Sequence, residues 1–307
     1  MFTKTLEIVA PIFLIVLLGY LARRFGLAKE NWVHLLNRFV YFVSLPALII
    51  ASFWNVNWRA VGLGSALAWN FGLMVFFAVL VVVILKFLKI SKEMRASIFM
   101  PLIVGNTVYM GFPLVGRTVD AGQYDAVVAV ATLQLVLGLL FSVFAIEFWV
   151  IRSKKLKIYV DDLLASPLII SLVVGLILGF LGWQDKTAST IKSAFTMLGA
   201  TASPLALFGL GAFMHGKFMK FHARASWLVS IFKIVIIPAL AFFVLRKLGL
   251  PHYVVDVSAL LFAMPVAVTT FVLSEKYDLE KHFNASVIVL STALSVIVIP
   301  IFLILFL

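Results

Sequence analysis

The chain of 307 residues contains no cysteine, which excludes disulfides, thiolate nucleophiles and thiolate metal sites. Charge is scarce as well: Asp, Glu, Lys and Arg make up 12% of the residues, about half of what a soluble domain carries. Acidic residues number 13 against 25 basic ones, and no carboxylate falls in the middle of an apolar stretch. Extended polar segments are missing too, the longest being residues 152–162. No His-Glu-x-x-His run, Ser–His pair or paired aspartates lie inside an apolar stretch, and the histidines (His34, His215, His222, His252, His282) are scattered at the edges. An enzyme has nothing to be built from, and neither a metal nor a cofactor is expected.

What fills the chain is hydrocarbon. Hydrophobic residues make up 64% and the mean hydropathy is +1.14, the composition of a polytopic membrane protein. Ten apolar spans are expected, at 6–23, 34–54, 63–86, 97–118, 126–151, 163–182, 195–214, 225–245, 254–274 and 283–306. The short N-terminal lead and the lack of a cleavage site argue against a secretory signal. The net charge of +12 does not point to nucleic acid, because the basic residues lie in short loops between spans. Sixteen Lys and Arg fall in the loops after the odd-numbered spans and seven on the opposite side. The positive-inside rule then makes the odd loops cytoplasmic and places both termini on the outer face of the cell (inner, plasma) membrane.

The spans repeat. Pro11, Gly19 and Gly26 in the first recur as Pro167, Gly175 and Gly182 in the sixth, displaced by 156 residues. Ser44-Leu45-Pro46-Ala47-Leu48 in the second recurs as Ser203-Pro204-Leu205-Ala206-Leu207 in the seventh. An odd number of spans per half requires the second half to be inverted. The expected fold is therefore all-α, a 5+5 inverted repeat with residues 1–151 and 163–307 as the halves and 152–162 as a cytoplasmic linker. Two spans are interrupted at equivalent places. The fourth reads Gly105-Asn106-Thr107-Val108-Tyr109-Met110-Gly111-Phe112-Pro113-Leu114, and the ninth carries Ala263-Met264-Pro265 followed by Thr269 and Thr270. Gly and Pro weaken or break helical hydrogen bonding. Matched broken helices in an inverted repeat are the architecture of secondary transporters, with the substrate site at the breaks.

The run Asn106-Thr107-x-x-x-Gly111-x-Pro113-Leu114 resembles the signature segment of the auxin efflux carrier family. The second span (Phe42-Val43-Ser44-Leu45-Pro46) and the ninth (Met264-Pro265, then Phe271 to Asp278) are similar to the same family. That resemblance implies a scaffold of spans 1, 2, 6 and 7, often dimeric, and a transport domain of spans 3–5 and 8–10 whose broken helices cross. It implies elevator-type transport of an organic anion such as malate, malonate or an auxin-like acid. The alternatives are a sodium-coupled bile-acid type of symporter on the same fold, or a membrane receptor or scaffold.

Asn106 lies roughly 15 Å below the membrane surface, near the bilayer centre. Its amide is either a substrate ligand, the role the resemblance implies, or a clamp on the broken helix. Gln134 in the fifth span lies at a similar depth and is either a second ligand or bonded to a neighbouring helix. Thr107, Tyr109, Thr269 and Thr270 are pocket hydroxyls or bond back to their own helix. Gly105, Gly111, Pro113 and Pro265 form the breaks, whose exposed N–H ends favour an anion. Lys233, roughly 12 Å into the eighth span, either meets the anion or a coupling carboxylate, or snorkels to the headgroups. Glu147 is expected to pair with the basic cluster beginning at Arg152. Plant relatives carry an Asp and a Lys on the third span, where this chain reads Ala68-Trp69-Asn70-Phe71-Gly72, so coupling through that site is not expected. The small-residue run from Gly199 to Gly211 serves a dimer, a sliding surface or packing within the chain.

Overall fold

The computed structural model describes residues 2–56, 62–120, 123–151, 165–183, 185–216 and 223–306. These are helical throughout, and the only strand-like feature among them is one isolated bridge between Gly105 and Val266. In chain order the helices are α1 (Phe2–Arg24), α2 (Glu30–Phe39, a π-helical turn Val40–Ser44, then Leu45–Asn55) and α3 (Leu63–Phe87). Next come α4a (Lys92–Ile103) and α4b (Thr107–Gly111, π-helical, then Phe112–Val115). They are followed by α5 (Tyr124–Ile146 and a π-turn Glu147–Ile151). Further along are α6 (Pro167–Leu181), α7 (Lys186–Ala200 and Ala202–Met214) and α8 (Ala223–Ile231, a π-turn Phe232–Ile236, then Ile237–Lys247). The series ends with α9a (His252–Phe262), α9b (Thr269–Lys276) and α10 (Lys281–Phe306).

Seven of these, α1, α2, α3, α5, α7, α8 and α10, are long and apolar enough to cross a membrane. α6 is shorter and strongly apolar, and the interruptions divide α4 and α9 into pieces. Each apolar run thus carries helix, and seven of the helices reach spanning length. α7 begins at Lys186, nine residues before the apolar run at 195, because Asp185 caps it: Oδ1 accepts from the Ala188 N–H at 2.7 Å. That hydrogen bond holds the Asp185 carboxyl below the usual carboxylate range. The linker 152–162 lies outside the described residues.

Burial decides which helices form the core. In α5 and α10 more than 60% of the apolar window is buried, against 28% in α1 and α2. α1 lies along the second half of α7, and α2 along α6 and α7; α3 lies on α5, while α8 lies on α9a and α10. Many large apolar side chains are left outside, among them Leu18, Phe76, Phe180 and Phe243, as a bilayer-facing surface requires.

Close approach explains the small residues of α7. A Cβ on Gly199 would stand 2.7 Å from Leu48 Cα, and one on Gly211 would collide with the Val16 carbonyl. The run from Gly199 to Gly211 is thus occupied by α1 and α2 of the same chain. We expect Gly211→Val to wedge α1 from α7 and to cost about 1–3 kcal/mol, read as a lower melting temperature of the purified protein. Gly72→Val, with no neighbouring atom within 4 Å of the new Cβ, is the control and leaves the midpoint close to that of the parent.

Candidate functional site

Proline shapes the site before any side chain enters it. Three of the four described π-turns run directly into a segment with proline at its second position: Pro46, Pro113 and Pro238. Proline has no N–H to return to the carbonyl four residues back, so the preceding turn opens. In α2 the Leu45 N–H bonds Val40 O, and in α8 the Ile237 N–H bonds Phe232 O, both across five residues. Tyr41, Tyr109 and Lys233 sit on these three widened turns, and π-turns recur at functional sites.

The two interruptions meet backbone to backbone. The Asn106 N–H donates to Pro265 O at 2.7 Å, and the Ala267 N–H donates to Val104 O at 3.3 Å. Ser291 Oγ on α10 accepts from the Val266 N–H at 3.1 Å. These bonds satisfy polar groups that two broken helices would otherwise bury unpaired. Gly105 is held at this point by crowding, since a Cβ would stand 3.2 Å from Lys233 Nζ and 3.4 Å from Met264 O. Gly111 abuts α9a, where a Cβ would meet Leu261 at 2.7 Å. Pro113 lies in the first turn of the helix that closes α4b, where its missing N–H is tolerated.

The crossing has two sides of opposite polarity. Gly105 and Met264 follow the C-terminal ends of α4a and α9a, where free carbonyls leave a negative dipole end. Lys233, 2% exposed, brings its ammonium to that side instead of toward the membrane surface. The other side holds the N-termini of α4b and α9b and a small cavity. Tyr41, Asn106, Thr107, Tyr109 and Thr269 line it together with Gly105, which separates the two sides, and it is closed by Leu45, Leu135 and Leu168. Its volume is about 20 Å³, enough for one water molecule. Asn106 makes no side-chain cap on the turn it precedes. Thr107 donates to Ala131 O at 3.1 Å, tying α4b to α5. Thr269 Oγ1 is buried with no partner.

Two of the expected residues are elsewhere. Thr270 is buried and bonds back to Ala267 O at 2.9 Å. Gln134 donates through Nε2 to Asn70 Oδ1 at 2.9 Å, and Asn70 donates to Ser258 Oγ at 2.7 Å and Ala66 O at 2.8 Å. This network ties α3, α5 and α9a together without a titratable group. Its members Asn70 and Ser258, and Tyr41 in the cavity, were not singled out from sequence as site residues. The available signals were an amide in an otherwise apolar third span and a tyrosine beside the Phe42–Pro46 motif.

The comparisons with known proteins agree with this architecture. A family model described as membrane transport protein matches residues 5–157 and 147–303. The chain belongs to the auxin efflux carrier family of membrane transport proteins. An uncharacterized transporter of Methanocaldococcus jannaschii is 26% identical over 303 residues, covering 96% of each chain. Another, from Methanothermobacter thermautotrophicus, is 23% identical over 304 residues, covering 97% of each. The protein is a membrane transporter and not an enzyme.

The Asn70 network makes a direct prediction for the transporter's stability. Gln134→Leu removes the donor to Asn70 Oδ1 in a dry interior, and the orphaned acceptor costs about 1–3 kcal/mol. Thermal unfolding in detergent should report a lower midpoint; an unchanged midpoint would mean that water or another group replaces the glutamine.

Proposed function

We propose that the transporter carries small organic carboxylates across the cell membrane, binding them between the N-termini of α4b and α9b. The observation that carries this reading is the cavity's polarity. Two helix starts face it, each with N–H groups that have no partner within their own helix, and Asn106, Tyr109 and Thr269 add side-chain donors. Such a site favours a carboxylate without a full positive charge in contact with it. Lys233 then serves as the fixed counter-charge to the carbonyl ends on the far side. A carboxylate larger than water does not fit the cavity's volume of about 20 Å³, so binding requires the lining to open.

The architecture behind this reading is ten spans as two inverted halves, 1–151 and 163–307. The helix pairings support it: α1 on α7 becomes α6 on α2 when each index moves by five, and α3 on α5 becomes α8 on α10. Ser44 and Thr201, near-equivalent positions of the two halves, bond across the axis at 2.7 Å. The cavity draws Tyr41, Leu45 and Leu168 from the group α1, α2, α6 and α7, and its remaining residues from the group α3–α5 and α8–α10. A site at the seam between a scaffold and a moving domain fits elevator-type exchange. In this reading the termini face outward, the scaffold is the place for a homodimer contact, and Gln134 and Thr270 shape the site without touching the anion.

Purified protein in liposomes should take up at least one of malate, malonate, indole-acetate and related acids in a saturable manner. Asn106→Ala should raise the apparent KM about tenfold. Lys233→Met should instead reduce the maximal rate, because the lysine lies outside the cavity. Uptake of no organic acid, or an Asn106→Ala protein with parental kinetics for the acid that moves, refutes the site. Imposed pH and sodium gradients in the same assay assign the coupling.

A further inference from the structure

A second cavity, of about 580 Å³, opens between α3 and α5, far larger than the one at the crossing. That volume falls within the range of small-molecule sites. Its walls are hydrocarbon, with Val75, Val79, Phe141, Phe144 and Phe148 among them, and the exposure of Val79, Phe144 and Phe148 shows that it opens outward through an apolar face. One charged residue lines it. Glu147 is 8% exposed, and its Oε2 is buried with no hydrogen-bond partner among the described residues. The pairing expected with Arg152 lies outside the described residues.

Glu147 opens the fourth π-turn, Glu147–Ile151, the one with no proline to cause it. A buried, unpartnered carboxylate oxygen is costly unless a donor reaches it. The wanted ligand therefore has a hydrocarbon body and a cationic head with N–H groups. An anion is repelled, which separates this site from the carboxylate site at the crossing. A second charge narrows the head further. Lys92 Nζ lies 3.5 Å from Val150 O, three residues past Glu147 along the chain, and is exposed, with Glu93 Oε1 at 3.8 Å. Glu147 is four residues before Ile151, where its described helix ends, placing it roughly 6 Å inside that end, a depth a lipid headgroup reaches. Cation and anion at one helix end complement a zwitterion with phosphate toward Lys92 and ammonium on Glu147.

We propose that the groove between α3 and α5 is a binding site for an aminophospholipid, its primary ammonium hydrogen-bonded to Glu147 and an acyl chain along the Val and Phe walls. A quaternary ammonium has no N–H to donate and satisfies Glu147 only as a charge. The site thus distinguishes phosphatidylethanolamine from phosphatidylcholine of identical chains.

The test is lipid retention by the full-length protein, delipidated in neutral detergent and offered phosphatidylethanolamine, phosphatidylcholine or phosphatidylglycerol at equal concentration, read by native mass spectrometry. The parent should retain phosphatidylethanolamine about tenfold over phosphatidylcholine. Glu147→Gln should bring the two together. Val79→Trp, on the exposed wall and away from the carboxylate, should lower phosphatidylethanolamine retention at least severalfold, and it tests the groove if Glu147→Gln does not fold. Equal retention of the two zwitterionic lipids by the parent overturns the proposal, as does a preference that survives Glu147→Gln. Unchanged retention by Val79→Trp, or phosphatidylglycerol bound best by the parent, overturns it as well.

Discussion

Two helices that stop in the middle of an apolar protein leave carbonyls and N–H groups with no water to meet them. The backbone bonds from Asn106 to Pro265 and from Ala267 to Val104 are the answer this chain adopts. Each interruption supplies what the other lacks, so neither α4 nor α9 can be broken alone. Much else follows from that exchange. Residue 105 is tight for a Cβ beside Lys233 and Met264 O; Ser291 of α10 is recruited to the Val266 N–H; and Thr107 anchors the restarting helix to α5. The crossing is therefore held from three neighbouring helices, α5, α8 and α10.

The same economy of backbone hydrogen bonds sets the side chains around the crossing. A proline in a helix that cannot be kinked freely widens the turn before it. In this transporter the three widened turns that precede prolines carry Tyr41, Tyr109 and Lys233. Tyr41 and Tyr109 come from different helices and converge on the small cavity, while Lys233 points at the opposite side. Local backbone chemistry thus positions the polar groups, and the surrounding apolar helices supply the dry environment in which their interactions are strong.

Much of this was legible in the sequence, for physical reasons that can be named. Long apolar runs, the glycines and prolines of the two breaks, and the recurrence of Pro11, Gly19 and Gly26 as Pro167, Gly175 and Gly182 all reflect requirements on the backbone, which residue type reveals directly. Asn106, Thr107, Tyr109 and Thr269 were readable as cavity residues because they flank those breaks. Gln134 and Thr270 were not separable from them, since which neighbour satisfies a buried amide or hydroxyl depends on helix rotation. A π-turn shifts that rotation, and only a pairing of distant residues, such as Gln134 with Asn70 or Asn70 with Ser258, reveals the result. Lys233 illustrates the same limit: its depth was readable, but its direction, inward to the crossing, depended on the turn before Pro238.

In the carboxylate carrier proposed above, the polarity of the crossing bears on how an anion can move without a mid-span acid. Two carbonyl ends gather beside Gly105 and two N–H ends beside the cavity, so the crossing is a dipole even before any ion arrives. Lys233 stands by the negative end, where its ammonium offsets the carbonyls. An anion at the other end would complete the neutralisation, and the loaded crossing would be closer to electrically balanced than the empty one. That difference favours movement of the loaded form through hydrocarbon and penalises the empty form. The Asn70 network fits the same logic. Where plant relatives carry an Asp and a Lys, this chain has an amide pinned by Gln134 and Ser258, which can hold helices together but cannot gain or lose a proton at ordinary pH. The charge balance of this transporter then rests on Lys233 and the substrate itself.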